Sequence, residues 1–216
     1  MHSGRLITFE GLDGCGKTTQ LEKAKDWLTE QGYDVLKTRQ PGGTKIGRQI
    51  RSILLDPEHE ELQPESELLL YLSDRIQHIQ ETIIPAKAAG KIVLCDRFHD
   101  STVAYQGYGR GLNLDSIESV VVHCIKPYDP DLTILLNISP ETVHLRLEQR
   151  EEYAEKDRLD LESLNFFKKT AQGFQVLAAT EAIRYVCLDG EQDIEVIHQE
   201  IVAVLQERFQ LRIKKS

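Results

Sequence analysis

Residues 11–18 read Gly-Leu-Asp-Gly-Cys-Gly-Lys-Thr, and the reading of the chain turns on them. They fit the spacing G-x-x-x-x-G-K-[ST], with the apolar run Leu6–Phe9 before them and helical spacing after them, where Leu21, Ala24 and Leu28 share one face. Strand before and helix after is the setting in which this spacing cradles phosphates. Glycines let the backbone curl until successive N–H groups point at phosphate oxygens. The following helix adds its positive end. The expected ATP-binding residues are Gly11, Leu12, Asp13, Gly14, Cys15, Gly16, Lys17, Thr18 and Thr19. Lys17 is expected to reach the β- and γ-phosphates and the Thr18 hydroxyl to face Mg²⁺.

Outward from this loop, strand-like and helix-like runs alternate. β-rich apolar segments lie at Leu6–Phe9, Val35–Lys37, Ile92–Cys95, Leu132–Ile138 and Tyr185–Leu188. Helical periodicity starts at Lys17 and recurs over Ile46–Leu55, Glu65–Ile84, Ser116–Ile125, Pro140–Arg150, Ser163–Ala179 and Ile194–Phe209. Such alternation predicts an α/β fold of three layers, a parallel sheet of about five strands with helices on both faces. With the phosphate loop it is a P-loop NTPase-type fold, and ligands of such sheets sit at the carboxyl ends of the strands. The 216 residues fit one domain with a full core. The polar stretch 148–162 is either a solvated helix end or a lid over the phosphate site.

The formal net charge of -9 disfavours a nucleic-acid backbone as partner, although local Arg and Lys clusters still suit a small polyanion. No apolar stretch approaches a membrane span, and no signal or transit peptide is expected before Arg5. Cys15, Cys95, Cys124 and Cys187 show no metal-type spacing, so reduced thiols and a cytoplasmic location are expected. Cys15, at a helix N-terminus beside Lys17, reads as a space-filler or as a reactive thiol.

Three further clusters narrow the chemistry. Residues 38–44 are Thr-Arg-Gln-Pro-Gly-Gly-Thr, residues 71–78 are Tyr-Leu-Ser-Asp-Arg-Ile-Gln-His, and residues 96–106 are Asp-Arg-Phe-His-Asp-Ser-Thr-Val-Ala-Tyr-Gln. Tyr71 and Arg75 are four residues apart, so on a helix they face one way. A ring there can stack on a base while the guanidinium one turn later grips a phosphate. Asp96 ends an apolar strand, where such proteins hold the Mg²⁺ shell, usually through water. A guanine-reading Asn-Lys-x-Asp run is absent from the sequence, which argues against a GTPase.

Together with Phe-Glu-Gly-Leu-Asp-Gly at 9–14, these clusters resemble the thymidylate kinase family, from about residue 5 to residue 190. The resemblance implies transfer of a phosphoryl group from ATP to dTMP, with Mg²⁺, in a homodimer. It implies that Arg39, Arg75 and Arg97 hold the acceptor phosphate and that Arg97 also stabilises developing charge. It places Asp13 on the deoxyribose 3′-hydroxyl, Tyr71 on the base, and Ser101, Tyr105 and Gln106 around the thymine and sugar. Gly14 stands where some members carry a transfer arginine, so the resemblance is to the lid-arginine type, with Arg150 and Arg158 as candidates; Arg146 is either a third or structural. Two positions depart from the pattern: Gln40 where an acid is usual, and Tyr71 where Phe is common. The competing readings are another nucleotide or deoxynucleoside kinase, and a nucleotide-binding regulator without catalysis.

Overall fold

A computed structural model gives the structure of residues 4–150 and 156–211, without the side chains of residues 148–150. In chain order the elements are β1 (Arg5–Glu10), α1 (Lys17–Glu30), β2 (Val35–Arg39), α2 (Lys45–Leu55) and α3 (Pro64–His78). A π-helical turn (Ile79–Ile83), α4 (Ile84–Ala88), β3 (Ile92–Asp96), α5 (His99–Thr102) and a second π-helical stretch (Val103–Gly109) follow. The chain continues with α6 (Leu114–Cys124), a 3₁₀ turn (Lys126–Tyr128), β4 (Leu132–Asn137), α7 (Pro140–Arg150), α8 (Leu164–Thr180), β5 (Tyr185–Asp189) and α9 (Ile194–Phe209).

The five strands form one sheet in the order β2-β3-β1-β4-β5, with every pair parallel. This is the P-loop NTPase fold. Alternation along the strands divides the core. Leu6, Val93 and Cys95 pack with Leu72, Ile83, Ile117 and Val121 of α3, the first π turn and α6. Ile7, Phe9 and Leu94 pack with Leu21, Ala24 and Leu28 of α1 and Ile197 and Ile201 of α9. Both faces of the sheet are therefore covered, and each fully buried Leu or Ile contributes about 1.5–3 kcal/mol relative to exposure.

Parallel pairing brings all carboxyl ends to one edge. Phe9 and Arg39 are both opposite Asp96, and Asn137 is opposite Asp189. The loops after β1, β2 and β3 thus converge, which positions the site. The five expected strands are all present. The helix expected over Glu65–Ile84 is instead α3 plus a π-helical turn running into α4. The helical stretch 99–109 was not expected from periodicity.

Candidate active site

The phosphate loop leaves β1 and enters α1 through glycines at positive φ: Gly11 at 137°, Gly14 at 75° and Gly16 at 95°. At Gly11 the constraint is doubled, because a Cβ there would lie 2.6 Å from the Leu136 carbonyl oxygen and 2.9 Å from Cys15 Sγ. Cys15 is buried against that position, which favours the space-filling reading. Lys17 is 6% exposed, and its Nζ donates to the carbonyls of Gly11 at 3.1 Å and Leu12 at 2.7 Å. The ammonium is thus parked on its own loop. Thr18 Oγ1 donates to Asp96 Oδ2 at 2.9 Å, so a hydroxyl and a carboxylate from α1 and β3 meet beside the loop. Two hard oxygens in this arrangement suit Mg²⁺. Gly14 and Thr19 are exposed at the mouth, and Arg146 Nη1 donates to the Gly14 carbonyl at 3.0 Å.

Arg97 is the centre of a second cluster. Its φ is 68°, a left-handed backbone that costs a bulky residue free energy. The twist turns its side chain back over the strand ends. Nη1 donates to the Gly11 carbonyl and to Ser101 Oγ, each at 3.0 Å; Nη2 donates to Asp13 Oδ1 at 2.6 Å and lies 3.0 Å from the Tyr105 hydroxyl oxygen. The Tyr105 hydroxyl donates to Asp13 Oδ2 at 2.7 Å. Burial alone would raise the Asp13 carboxyl, but the Arg97 and Lys17 charges outweigh it and hold the group well below the carboxylate range. Beneath lies Glu10, fully buried, which accepts from the Phe98 N–H at 2.7 Å and Ser101 Oγ at 2.6 Å. Burial, reinforced by the Asp100 charge, pushes its pKa up to about 7.

Tyr71 and Arg75 do share one helix face: both are buried on α3 and both line the same cavity. Burial raises the Tyr71 hydroxyl above its ordinary pKa. Arg75 is 2% exposed; its Nε donates to Gln40 Oε1 at 2.7 Å and its Nη1 donates to Thr102 Oγ1. Arg39, at the end of β2, is exposed at the cavity rim. The cavity, about 570 Å³, is lined by Lys17, Thr18 and Asp96 together with Arg39, Arg75 and Arg97. Ser101, Tyr105 and Gln106 also line it.

Residues that sequence reasoning passed over complete this wall. Arg51 of α2 lines the cavity, and its Nη1 donates to the Pro41 carbonyl at 3.1 Å. Its helix is started by Thr44, whose hydroxyl accepts from the Gly47 N–H at 2.9 Å. Glu67, fully buried on α3, gathers Gln106 Nε2 at 2.8 Å, Arg110 Nη2 at 3.0 Å, and Arg158 Nη2. Spacing carried that signal: Glu67, Tyr71 and Arg75 recur every four residues on one helix face. Arg158, expected at the transferring phosphate, here spends its Nε on the Leu54 carbonyl at 3.0 Å and pairs with Glu67; the cavity is lined by its neighbours Asp157 and Leu159. The Arg150 side chain and residues 151–155, part of the expected lid, lie outside the described residues.

A family model described as thymidylate kinase matches residues 9–201. The chain belongs to the thymidylate kinase family. Among thymidylate kinases, that of Geobacillus sp. (strain WCH70) is 43% identical over 209 residues, covering 97% of this chain and 99% of the relative. That of Geotalea uraniireducens (strain Rf4) is 44% identical over 209 residues, covering 95% and 98%. The crystal structure of thymidylate kinase from Ehrlichia chaffeensis superposes with a TM-score of 0.78 at 32% identity, covering 95% of this chain and all of that one. No helix among the described residues of this family member is long and apolar enough to cross a membrane.

Proposed function

We propose that this chain transfers the γ-phosphoryl group of ATP to dTMP, giving ADP and dTDP. One observation carries the reading: a phosphate-loop lysine and four arginines from separate elements, Arg39, Arg51, Arg75 and Arg97, line a single cavity. A donor of one phosphate chain needs no second set of guanidinium groups. A deoxynucleoside acceptor, which is uncharged, needs none either.

Phosphoryl transfer asks for positioning and positive charge rather than covalent chemistry. The loop N–H groups and Lys17 hold the donor, Lys17 exchanging the Gly11 and Leu12 carbonyls for phosphate oxygens. Arg39, Arg75 and Arg97 receive the acceptor phosphate, and Arg97 stands where charge develops. Asp13, kept ionised by Arg97, orients that guanidinium and accepts from the sugar hydroxyl. Tyr71 presents a π-face to the base, and its extra hydroxyl leaves that face intact. Ser101, Tyr105 and Gln106 shape the thymine and sugar pocket. Thr18 and Asp96 would hold Mg²⁺, which when bound would offset the negative charge of the donor phosphates.

The single-domain reading of residues 1–216 includes residues 148–162 as a lid that excludes water. The Arg158–Glu67 pair supports a holding role for Arg158 at the lid base and leaves Arg150 for the transferring phosphate. Near-normal turnover of both Arg150→Ala and Arg158→Ala would remove the lid assignment. The chain is also proposed to be a cytoplasmic homodimer, with no nucleic-acid or membrane partner. Its four free thiols suit a reducing compartment, and Leu69 of α3, 62% exposed, offers apolar surface for a second copy. Light scattering on the purified chain tests the dimer.

The deciding experiment is ADP release with a panel of nucleoside monophosphates and deoxynucleosides. The highest kcat/KM is expected with dTMP. ADP release that no acceptor accelerates would return the chain to a nucleotide-binding regulator.

A further inference from the structure

Glu10 ends β1, one residue before the first glycine of the phosphate loop, and is fully buried. Burying a carboxylate is costly unless hydrogen bonds replace its water. Two do so here. Glu10 Oε1 accepts from the Phe98 N–H at 2.7 Å, and Oε2 accepts from the Ser101 hydroxyl at 2.6 Å. Both donors follow Arg97 closely in the chain.

The first bond belongs to the backbone of Arg97. β1 and β3 pair as far as Phe9 and Asp96. The Arg97 N–H still reaches the Phe9 carbonyl at 3.0 Å, and Arg97 then turns left-handed at φ 68°. Phe98 is extended again, at φ −147° and ψ −152°, before α5 starts at His99. A left-handed backbone at a bulky residue persists where its surroundings over-determine it. The Phe9 carbonyl fixes the peptide before Arg97, and Glu10 fixes the peptide after it.

The second bond belongs to the side chain. Arg97 Nη1 only donates, so at 3.0 Å from Ser101 Oγ it takes a lone pair of that oxygen. An ionised carboxylate only accepts, so the Ser101 proton goes to Glu10. Donation therefore runs from Arg97 to Ser101 to Glu10. A hydroxyl that gives its proton to a carboxylate is in turn a better acceptor. The other terminal nitrogen, Nη2, is held by Asp13 at 2.6 Å, so each end of the guanidinium has its own anchor. Arg97 and Ser101 line the cavity, and Glu10 reaches it through them.

We infer that Glu10 is a positioning residue for phosphoryl transfer: one oxygen holds the backbone turn that aims Arg97, and the other holds its guanidinium through the Ser101 hydroxyl. The inference rests on the transfer reading proposed above. A glutamine of the same shape cannot do both tasks. With its carbonyl on Phe98, its NH₂ group competes with Arg97 for the Ser101 oxygen. With its carbonyl on Ser101, its NH₂ group faces the Phe98 N–H.

The test measures initial rates of ADP release from ATP and dTMP at pH 8, above the Glu10 pKa of about 7. It compares the full-length wild type with Glu10→Gln, Ser101→Ala and the double variant, with Tm recorded for each. Folded Glu10→Gln is expected to lose kcat about tenfold or more, since a small misplacement of a charged group weighs heavily on the transition state. KM for ATP is expected to stay within about twofold, which separates this role from support of the neighbouring phosphate loop. Ser101→Ala should lower kcat as well. The double variant should lie within about twofold of the slower single one, because both act through Arg97. A folded Glu10→Gln with wild-type kcat, a rise in KM for ATP that matches the loss of kcat, or losses that multiply in the double variant would overturn the inference. If Glu10→Gln does not fold, Ser101→Ala decides alone, because it keeps the carboxylate and its Phe98 bond. Unchanged kcat then overturns the inference, and a loss of kcat at unchanged KM for ATP upholds it. A wild type that phosphorylates no nucleoside monophosphate overturns the transfer reading, and this one with it.

Discussion

The two halves of the cavity are built on different plans. On the proposed donor side the groups are backbone N–H groups and one lysine, and that lysine rests on the carbonyls of Gly11 and Leu12. On the proposed acceptor side Arg75 and Arg97 are already held, by Gln40 and Thr102 in one case and by Asp13, Ser101 and Gly11 in the other. On the proposed assignment the donor half must rearrange to bind, whereas the acceptor half is preorganised and spends its ordering cost during folding. Disturbing the donor half should therefore show in rate, and disturbing the acceptor half should show in stability as well.

The largest expected effect is on rate. Lys17→Ala should lower kcat by about 10²–10³, the cost of removing one donor aimed at developing charge. Calorimetry should find its affinity for dTMP within about twofold of wild type, since the acceptor half is untouched. A collapse of dTMP binding would erase the contrast between the halves.

Next comes acid lability centred on His78. Its pKa is lowered from 6.5 to about 4, so between those values the unfolded chain binds a proton that the folded chain refuses. Stability should rise with pH across that window and be lost as pH falls from 6.5 towards 4, by up to about 3 kcal/mol. Denaturant melts at pH 7 and pH 5 measure this, and His78→Gln should flatten the difference.

Arg97→Ala removes the cation from a half-buried pair. Asp13 retains Lys17 nearby, so the cost should fall below that of a fully buried pair, at about 2 kcal/mol, visible as a lower Tm together with loss of turnover. The smallest effect is expected from Thr44→Ala, which uncaps α2 for about 1 kcal/mol and leaves kcat near wild type.

Much of this was readable from the chain. The phosphate loop, the five strands and the shared face of Tyr71 and Arg75 follow from spacings of a few residues, which sequence displays directly. The segments Ile79–Ile83 and Val103–Gly109 did not follow, because a π-helical turn inserts a residue and shifts the phase of any 3.6-residue pattern. The partner of Arg158 was hidden for another reason. Glu67 is 91 positions away, and nothing local distinguishes an arginine bound for a phosphate from one bound for a buried carboxylate. The same holds for Gln40: its departure from the family pattern was visible, but its bridge between Arg75 and His78 depends on β2 and α3 being packed together.

The left-handed twist at Arg97 has a lasting consequence. A surface arginine finds its target by sampling rotamers, and each search loses entropy. Here the main chain, anchored by the Arg97 N–H on the Phe9 carbonyl at 3.0 Å, sets the aim, and the torsional penalty is met once when the chain folds. The guanidinium is consequently as steady as the sheet that carries it.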